Sequence, residues 1–168
     1  MKLRFTHLGA LLAFSCSSGD LQIETVDFES ATVQNCGTLS TSTELFFKLN
    51  DREALILELQ SGLLANEASD GELESAIPGS SQLTYRIFDG SIGSGYFCDA
   101  IPPATPLVLE EIAAEAGSVL ITTVQDPTDT LSYDHEIRLS GITFVNKKGE
   151  RLTNLAIEEF GTVTTTSN

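Results

Sequence analysis

The sequence predicts an all-β protein: an antiparallel β-sandwich, immunoglobulin-like or jelly-roll-like, of about seven to nine strands with one disulfide. Two observations carry that expectation. Short segments rich in β-branched and aromatic residues recur along the chain, and Gly, Pro, Asn, Asp and Ser separate them, as strands and turns require. Cys36 and Cys98 are left as an even pair once Cys16 is set aside, and such a pair in an oxidising compartment reads as a disulfide. No repeat of fixed period is visible, which removes solenoids and propellers.

The chain opens with a basic start, Met1-Lys2-Leu3-Arg4, and an apolar stretch from Phe5 to Phe14 broken only by Thr6 and His7. Ala13-Phe14-Ser15-Cys16 then supplies small residues ending in cysteine, with Ser17-Ser18-Gly19-Asp20 behind it. That order is the layout of a secretory signal over 1–15, and a cysteine at the first mature position looks like a lipoprotein signal. The apolar run falls short of the roughly 20 residues a helix needs to cross a bilayer. Cys16 is therefore expected to carry acyl chains, residues 16–20 to act as a small polar tether, and 21–168 to form one β-sandwich domain. Leu stands four residues before the cysteine, at Leu12, where lipoprotein signals usually have it at three; Ala13 occupies that place.

Seven segments are the candidate strands: Leu21 to Phe28, Glu44 to Leu49, Ala54 to Leu59, Leu83 to Phe88, Val119 to Val124, Tyr133 to Val145 and Ala156 to Thr165. Ala54-Leu55-Ile56-Leu57 is apolar in both phases, which predicts a strand covered on both faces. In Leu83 to Phe88, Leu83, Tyr85 and Ile87 alternate with Thr84 and Arg86, so one face is wet. From Tyr133, His135, Ile137 and Leu139 the apolar phase moves by one to Ile142 and Phe144, and Ser140-Gly141 at the shift predicts a β-bulge. Asn50-Asp51 reads as a tight turn and Asn146-Lys147-Lys148-Gly149 as a hairpin loop. Ser61 to Ile77 reads as a loop or short helix. Leu109 to Ala116 divides between two helical turns stopped by Gly117 and a hairpin of two strands, since Leu107-Val108-Leu109 enters it and Val119-Leu120-Ile121 leaves it.

The formal charge is −15, from 9 basic and 24 acidic side chains. Lys2 and Arg4 leave with the leader and no acid does, so 7 basic side chains then face 24 acidic ones, formally −17. Such a surface repels phosphate backbones, so nucleic acid is excluded as a partner. His135 is the one histidine after the leader. Its neighbours Asp134 and Glu136 point to the opposite face of a strand, so it is expected to be a packed, satisfied residue rather than a base. No Gly-x-Ser-x-Gly occurs, and Gly90 to Gly95 lacks the Gly-Lys-Ser/Thr ending of a phosphate loop, so it reads as a flexible loop into Tyr96-Phe97-Cys98. Calcium is the one cofactor the acids could hold, with Asp126 and Asp129 in one acidic loop and Glu67 to Glu74 in another; a solvated turn is the competing reading.

The leader ending Leu-Leu-Ala-Phe-Ser-Cys-Ser-Ser-Gly-Asp resembles those of Bacteroidetes lipoproteins, flavobacterial ones in particular. Val119-Leu120-Ile121-Thr122-Thr123, Tyr133-Asp134-His135-Glu136-Ile137, Ile142-Thr143-Phe144 and Asn146-Lys147-Lys148-Gly149 are similar to segments of small, uncharacterised outer-membrane lipoproteins of that group. The resemblance implies a location in the outer membrane, on its periplasmic or its extracellular face, and a β fold, without a mechanism. It also implies a sugar on Thr130, since Asp129-Thr130-Leu131 matches the phylum's short O-glycosylation pattern. Two functions follow as expectations. One is a non-catalytic binding or accessory subunit whose partner is the membrane, through the acyl anchor, and another outer-membrane protein or a glycan. The other is a small surface glycan hydrolase using paired carboxylates.

Overall fold

The computed structural model describes residues 25–152 and 155–167. The leader, Cys16 and the tether lie outside the described residues. The strands are β1 (Val26–Asp27), β2 (Gln34–Asn35), β3 (Leu45–Asn50), β4 (Glu53–Glu58), β5 (Leu73–Ile77), β6 (Gln82–Phe88), β7 (Val108–Gln125), β8 (Ser132–Val145), β9 (Arg151–Leu152), β10 (Leu155–Ala156) and β11 (Glu159–Thr166). One short helix, α1 (Gly95–Cys98), lies between β6 and β7. Nine strands belong to one antiparallel sheet, and β1 pairs with β10 in parallel.

That sheet folds over on itself because β7 changes partners along its length. Residues 108–113 pair with β6, which continues into β4, β3 and β2; residues 117–121 pair with β5, and 114–125 pair with β8, which continues into β11. The inner faces of the two halves close on one core. Phe46, Leu55, Leu57, Leu83, Tyr85 and Ile112 come from the first half, and Val119, Ile121, Ile137, Leu139, Phe144 and Phe160 from the second. The protein is thus an antiparallel β-sandwich, as its strand and turn pattern predicts.

The doubly apolar β4 behaves as its sequence requires. Leu55 and Leu57 enter the main core, while Ala54 and Ile56 join Phe47 and Phe88 in a second cluster on the outer face of the first half-sheet. Residues between β6 and β7 cover that cluster with Ile92, Tyr96 and Phe97, and Phe97 stacks on Phe47 at 4.7 Å between ring centroids. The two-residue turn between β3 and β4 is Asp51-Arg52, one residue beyond the expected Asn50-Asp51, with Asp51 at φ 37°. The Asn146 to Gly149 loop forms as expected, closed by Gly149 N–H donating to the Asn146 carbonyl at 2.9 Å.

The bulge read at Ser140-Gly141 is present. Pairing of β7 with β8 slips between Ser118↔Ser140 and Ala116↔Thr143, and slips back before Ala114↔Phe144. Two expectations are corrected here. Leu109 to Ala116 is neither two helical turns nor a hairpin of two strands but part of one unbroken strand of 18 residues, and Gly117 lies inside that strand rather than stopping a helix. Gly117 sits at φ +131°, and a Cβ there would meet Ile142 Cδ1 at 2.6 Å and the Ser140 carbonyl oxygen at 2.9 Å, so only glycine lets β7 and β8 cross this closely. The end of the Ser61 to Ile77 stretch is also a strand, β5, with Ser75 and Ile77 turned inward. Of the expected Leu21 to Phe28 strand, Leu21 to Glu24 lie outside the described residues and Val26–Asp27 is a strand, while Ala156 to Thr165 is split between β10 and β11.

Candidate functional site

Residues 89–109 form the most unusual surface of the molecule. The segment leaves β6 at Phe88, crosses the outer face of the first half-sheet and returns as β7. Its first half is held down at several points. Ile92 N–H donates to the Asp51 carbonyl at 2.8 Å, the Ser91 hydroxyl donates to Asp51 Oδ1 at 2.7 Å, and Tyr96 meets Phe88 edge to face at 5.0 Å. Cys98 is bonded to Cys36 just beyond β2, a pairing the two cysteines predict. Gly95 to Cys98 is a helical turn rather than the end of a flexible loop. The base of the loop is closed by Asp89, whose N–H donates to the Leu107 carbonyl at 3.0 Å and whose Oδ1 accepts from Leu107 N–H at 2.8 Å.

The second half of that segment is apolar and left in water. Ala100-Ile101-Pro102-Pro103-Ala104-Thr105-Pro106-Leu107-Val108-Leu109 contains no charge. Ile101 is 86% exposed, Leu107 58%, Val108 39% and Leu109 66%. Leu109 projects because it is the extra residue where the β6–β7 register slips between Ile87 and Phe88. Isolated exposed leucines are ordinary, but four large apolar side chains exposed within nine residues of sequence, on a segment fixed at both ends, are a candidate interaction surface. Its exposure is not legible in the sequence, since a proline-rich apolar run does not say whether it is covered.

Beside the patch lies an open strand edge. Val108 to Ile112 pairs with β6 on one side, and among the described residues no strand pairs with its other side. Alternate N–H and C=O groups of an edge strand point away from its neighbour. The charges that this segment and edge themselves carry are acidic, namely Asp89, Asp99, Glu110 and Glu111, while Lys147 and Lys148 lie in the loop after β8, whose pairing with β7 ends at Ala114↔Phe144. Arg86 is the one basic side chain on the neighbouring strand, and its Nε donates to Glu111 Oε2 at 2.7 Å. From Ile87 to Ile137 the chain has neither Lys nor Arg.

His135 is fully buried on β8 between β7 and β11, as a satisfied residue. Its Nδ1 and Nε2 each lie 2.8 Å from a threonine hydroxyl, those of Thr123 and Thr165. The Thr165 hydroxyl donates to Asn66 Oδ1 at 2.6 Å, which leaves Thr165 Oγ1 as acceptor for an Nε2–H and Nδ1 as acceptor for the Thr123 hydroxyl. Burial holds the ring's pKa below the ordinary value against the opposing pull of Asp134, which favours the neutral ring with Nδ1 accepting from Thr123. The unfolded chain binds this proton more tightly, so stability is complete above about pH 6.5 and falls as pH drops through the folded-state value. Urea unfolding between pH 7.5 and 5 should show that fall. His135→Gln should flatten it and cost about 1–3 kcal/mol at pH 7.5 by leaving hydroxyls unpaired. An unchanged slope in the variant would remove His135 as its source.

The other predicted residues take these places. Asp126 and Asp129 sit in the hairpin between β7 and β8. Asp126 Oδ1 accepts from the Thr128 N–H at 2.6 Å and the Thr128 hydroxyl at 2.7 Å, and these bonds hold its carboxyl below the usual pKa. Asp129 Oδ2 accepts from the Ser132 hydroxyl at 2.7 Å. Among the described residues no three His, Cys, Asp or Glu side chains cluster as metal ligands. Thr130 stands exposed in the same hairpin, its carbonyl accepting from Gln125 Nε2 at 2.7 Å.

A groove of about 340 Å³ at the mouth of the sandwich is lined by Glu29, Thr32, Lys48, Glu159 and Thr162 among others. Lys48 is almost wholly buried there, and its ammonium lies 3.4 Å from the Glu159 carbonyl. Burial lowers its pKa, while Glu159, Asp27 and Glu29 act to raise it. No signal in the sequence distinguished this lysine from a surface one. No family model, curated protein or solved structure matches the chain.

Proposed function

We propose that this protein is a lipid-anchored β-sandwich of the outer membrane or cell surface that serves as a non-catalytic binding or accessory subunit. The observation that carries the binding role is the exposed apolar run from Ile101 to Leu109, held in place by a disulfide and an aromatic cluster rather than tucked away. A fold that spends order on keeping leucines in water has a partner to cover them. The anchor rests on the sequence, where one cysteine closes the leader and a small polar tether follows. In this reading the tether sets the reach of the domain from the membrane, and a sugar on exposed Thr130 would sit on the hairpin away from the patch's own segment.

The competing glycan hydrolase finds its best location in the Lys48 groove, between Glu29 and Glu159. Both carboxylates are exposed, so the groove offers no closed site that would keep water out and hold a sugar between them. Binding is the better-supported reading.

The anchor is tested by detergent phase separation. Protein from its native host should enter the detergent-rich phase, and Cys16→Ser should stay in the aqueous phase or retain its leader. Wild-type protein found in the aqueous phase would end the lipoprotein reading.

A further inference from the structure

We infer that the free edge of β7, Val108 to Ile112, together with Leu107 and Leu109, receives an extended strand of basic character from a partner protein. The inference rests on the binding-subunit reading and adds the partner's chemistry. Three features of the edge lead there.

The first is a ladder that no described strand completes. An edge strand whose outer amides no described strand pairs, beside exposed Leu107, Val108 and Leu109, offers backbone pairing and apolar contact at once, which is how an added strand gains affinity. The second is the sign of the charge. Glu110 and Glu111 are successive residues of the strand and so lie on its two faces, with Asp89 and Asp99 on the loop behind them. A basic strand is attracted from either side, while Glu111 has Arg86 as its own partner. The third is what the same charges exclude. A second copy of a chain at −15 would bring acid against acid along the paired edge, and anionic headgroups are repelled for the same reason. A bilayer would also leave the edge amides unpaired.

The test uses the full chain and an eight-residue peptide alternating valine and lysine. The peptide should bind the wild type, at least about tenfold more weakly at 500 mM than at 50 mM salt. A valine–glutamate peptide should not bind. Neither should a valine–lysine peptide with every amide N-methylated, because it keeps the charge and loses the ladder donors on both of its edges. L107K/L109K should bind the peptide about tenfold more weakly, with its thermal midpoint unchanged because both side chains are in water.

Failure of the valine–lysine peptide to bind, or equal binding of its N-methylated form, overturns edge pairing. The methylated peptide decides the matter on wild-type protein alone, whatever the folding of the double variant. Sedimentation of the wild type as a dimer that L107K/L109K dissolves would instead assign the edge to a second copy. If the peptide fails while a complex is still extracted intact from native membranes, only the edge is wrong; if both fail, the binding-subunit reading falls as well.

Discussion

Gly117→Ala should destabilise the protein by about 4 kcal/mol, a sum of backbone strain and forced contact of about 1–3 kcal/mol each. The added Cβ lands on the Ser140 carbonyl oxygen and on Ile142 Cα as well as on the end of its side chain, and backbone cannot swing away as a side-chain tip can. The site is where β7 passes from one half of the sandwich to the other, so a shift there disturbs the pairing of both β5 and β8. Gly62 is the control: at φ +82° it has nothing within 4 Å of its would-be Cβ, and Gly62→Ala should cost only about 1 kcal/mol of conformational strain. Urea unfolding of the two variants against the wild type measures the difference. Equal, mild losses would mean that the crossing of β7 and β8 tolerates a side chain.

Replacing Cys36 and Cys98 together by serine should cost about 4 kcal/mol, the chain-entropy value for a loop closed across a separation of 62 residues. The loss should be uneven. The disulfide fastens the covering segment to β2, so amides from Ile92 to Cys98 should exchange with solvent faster than those of the main core, where Leu55, Ile121 and Ile137 are packed from both half-sheets. Equilibrium unfolding gives the magnitude and hydrogen exchange the location. Uniform exchange across the molecule, or no loss of stability, would contradict the role given to the bond.

What the sequence reveals depends on whether a residue's environment is local. β4 is legible because both of its faces are buried, so an uninterrupted apolar run survives in the sequence. The β8 bulge is legible because it moves an apolar phase that is otherwise strict. β5 is hidden: an edge strand whose outward residues are Glu74 and Ala76 and whose inward ones are Ser75 and Ile77 has no apolar alternation to read. The first half of β7 is hidden for two reasons. Its alanines and glutamates are helix-forming by composition, and the extra residue between Ala114 and Ala116 flips the inward phase from Ile112 and Ala114 to Val119, Ile121 and Thr123.

The functional surface divides in the same way. That His135 is packed follows from its strand neighbours, but its hydroxyl partners Thr123 and Thr165 come from two other strands and depend on register. The apolar run at Ile101 to Leu109 is plain in the sequence, whereas its exposure, and the side of β7 that no described strand pairs, are legible only once the strand order is known. An apolar segment in a proline-rich loop is as compatible with a covered cluster as with a docking face. Here the segment divides: Ile92, Tyr96 and Phe97 form the cover, and Ile101 and Leu107 to Leu109, after the disulfide, stay exposed.

The size of the native particle tests the binding-subunit account most directly. Extracted from host membranes in mild detergent, the wild-type protein should run as a complex larger than one lipidated chain in its micelle, containing a second protein, and L107K/L109K should run as the single chain. A wild type that migrates alone, or a variant that keeps the whole complex, would contradict the account.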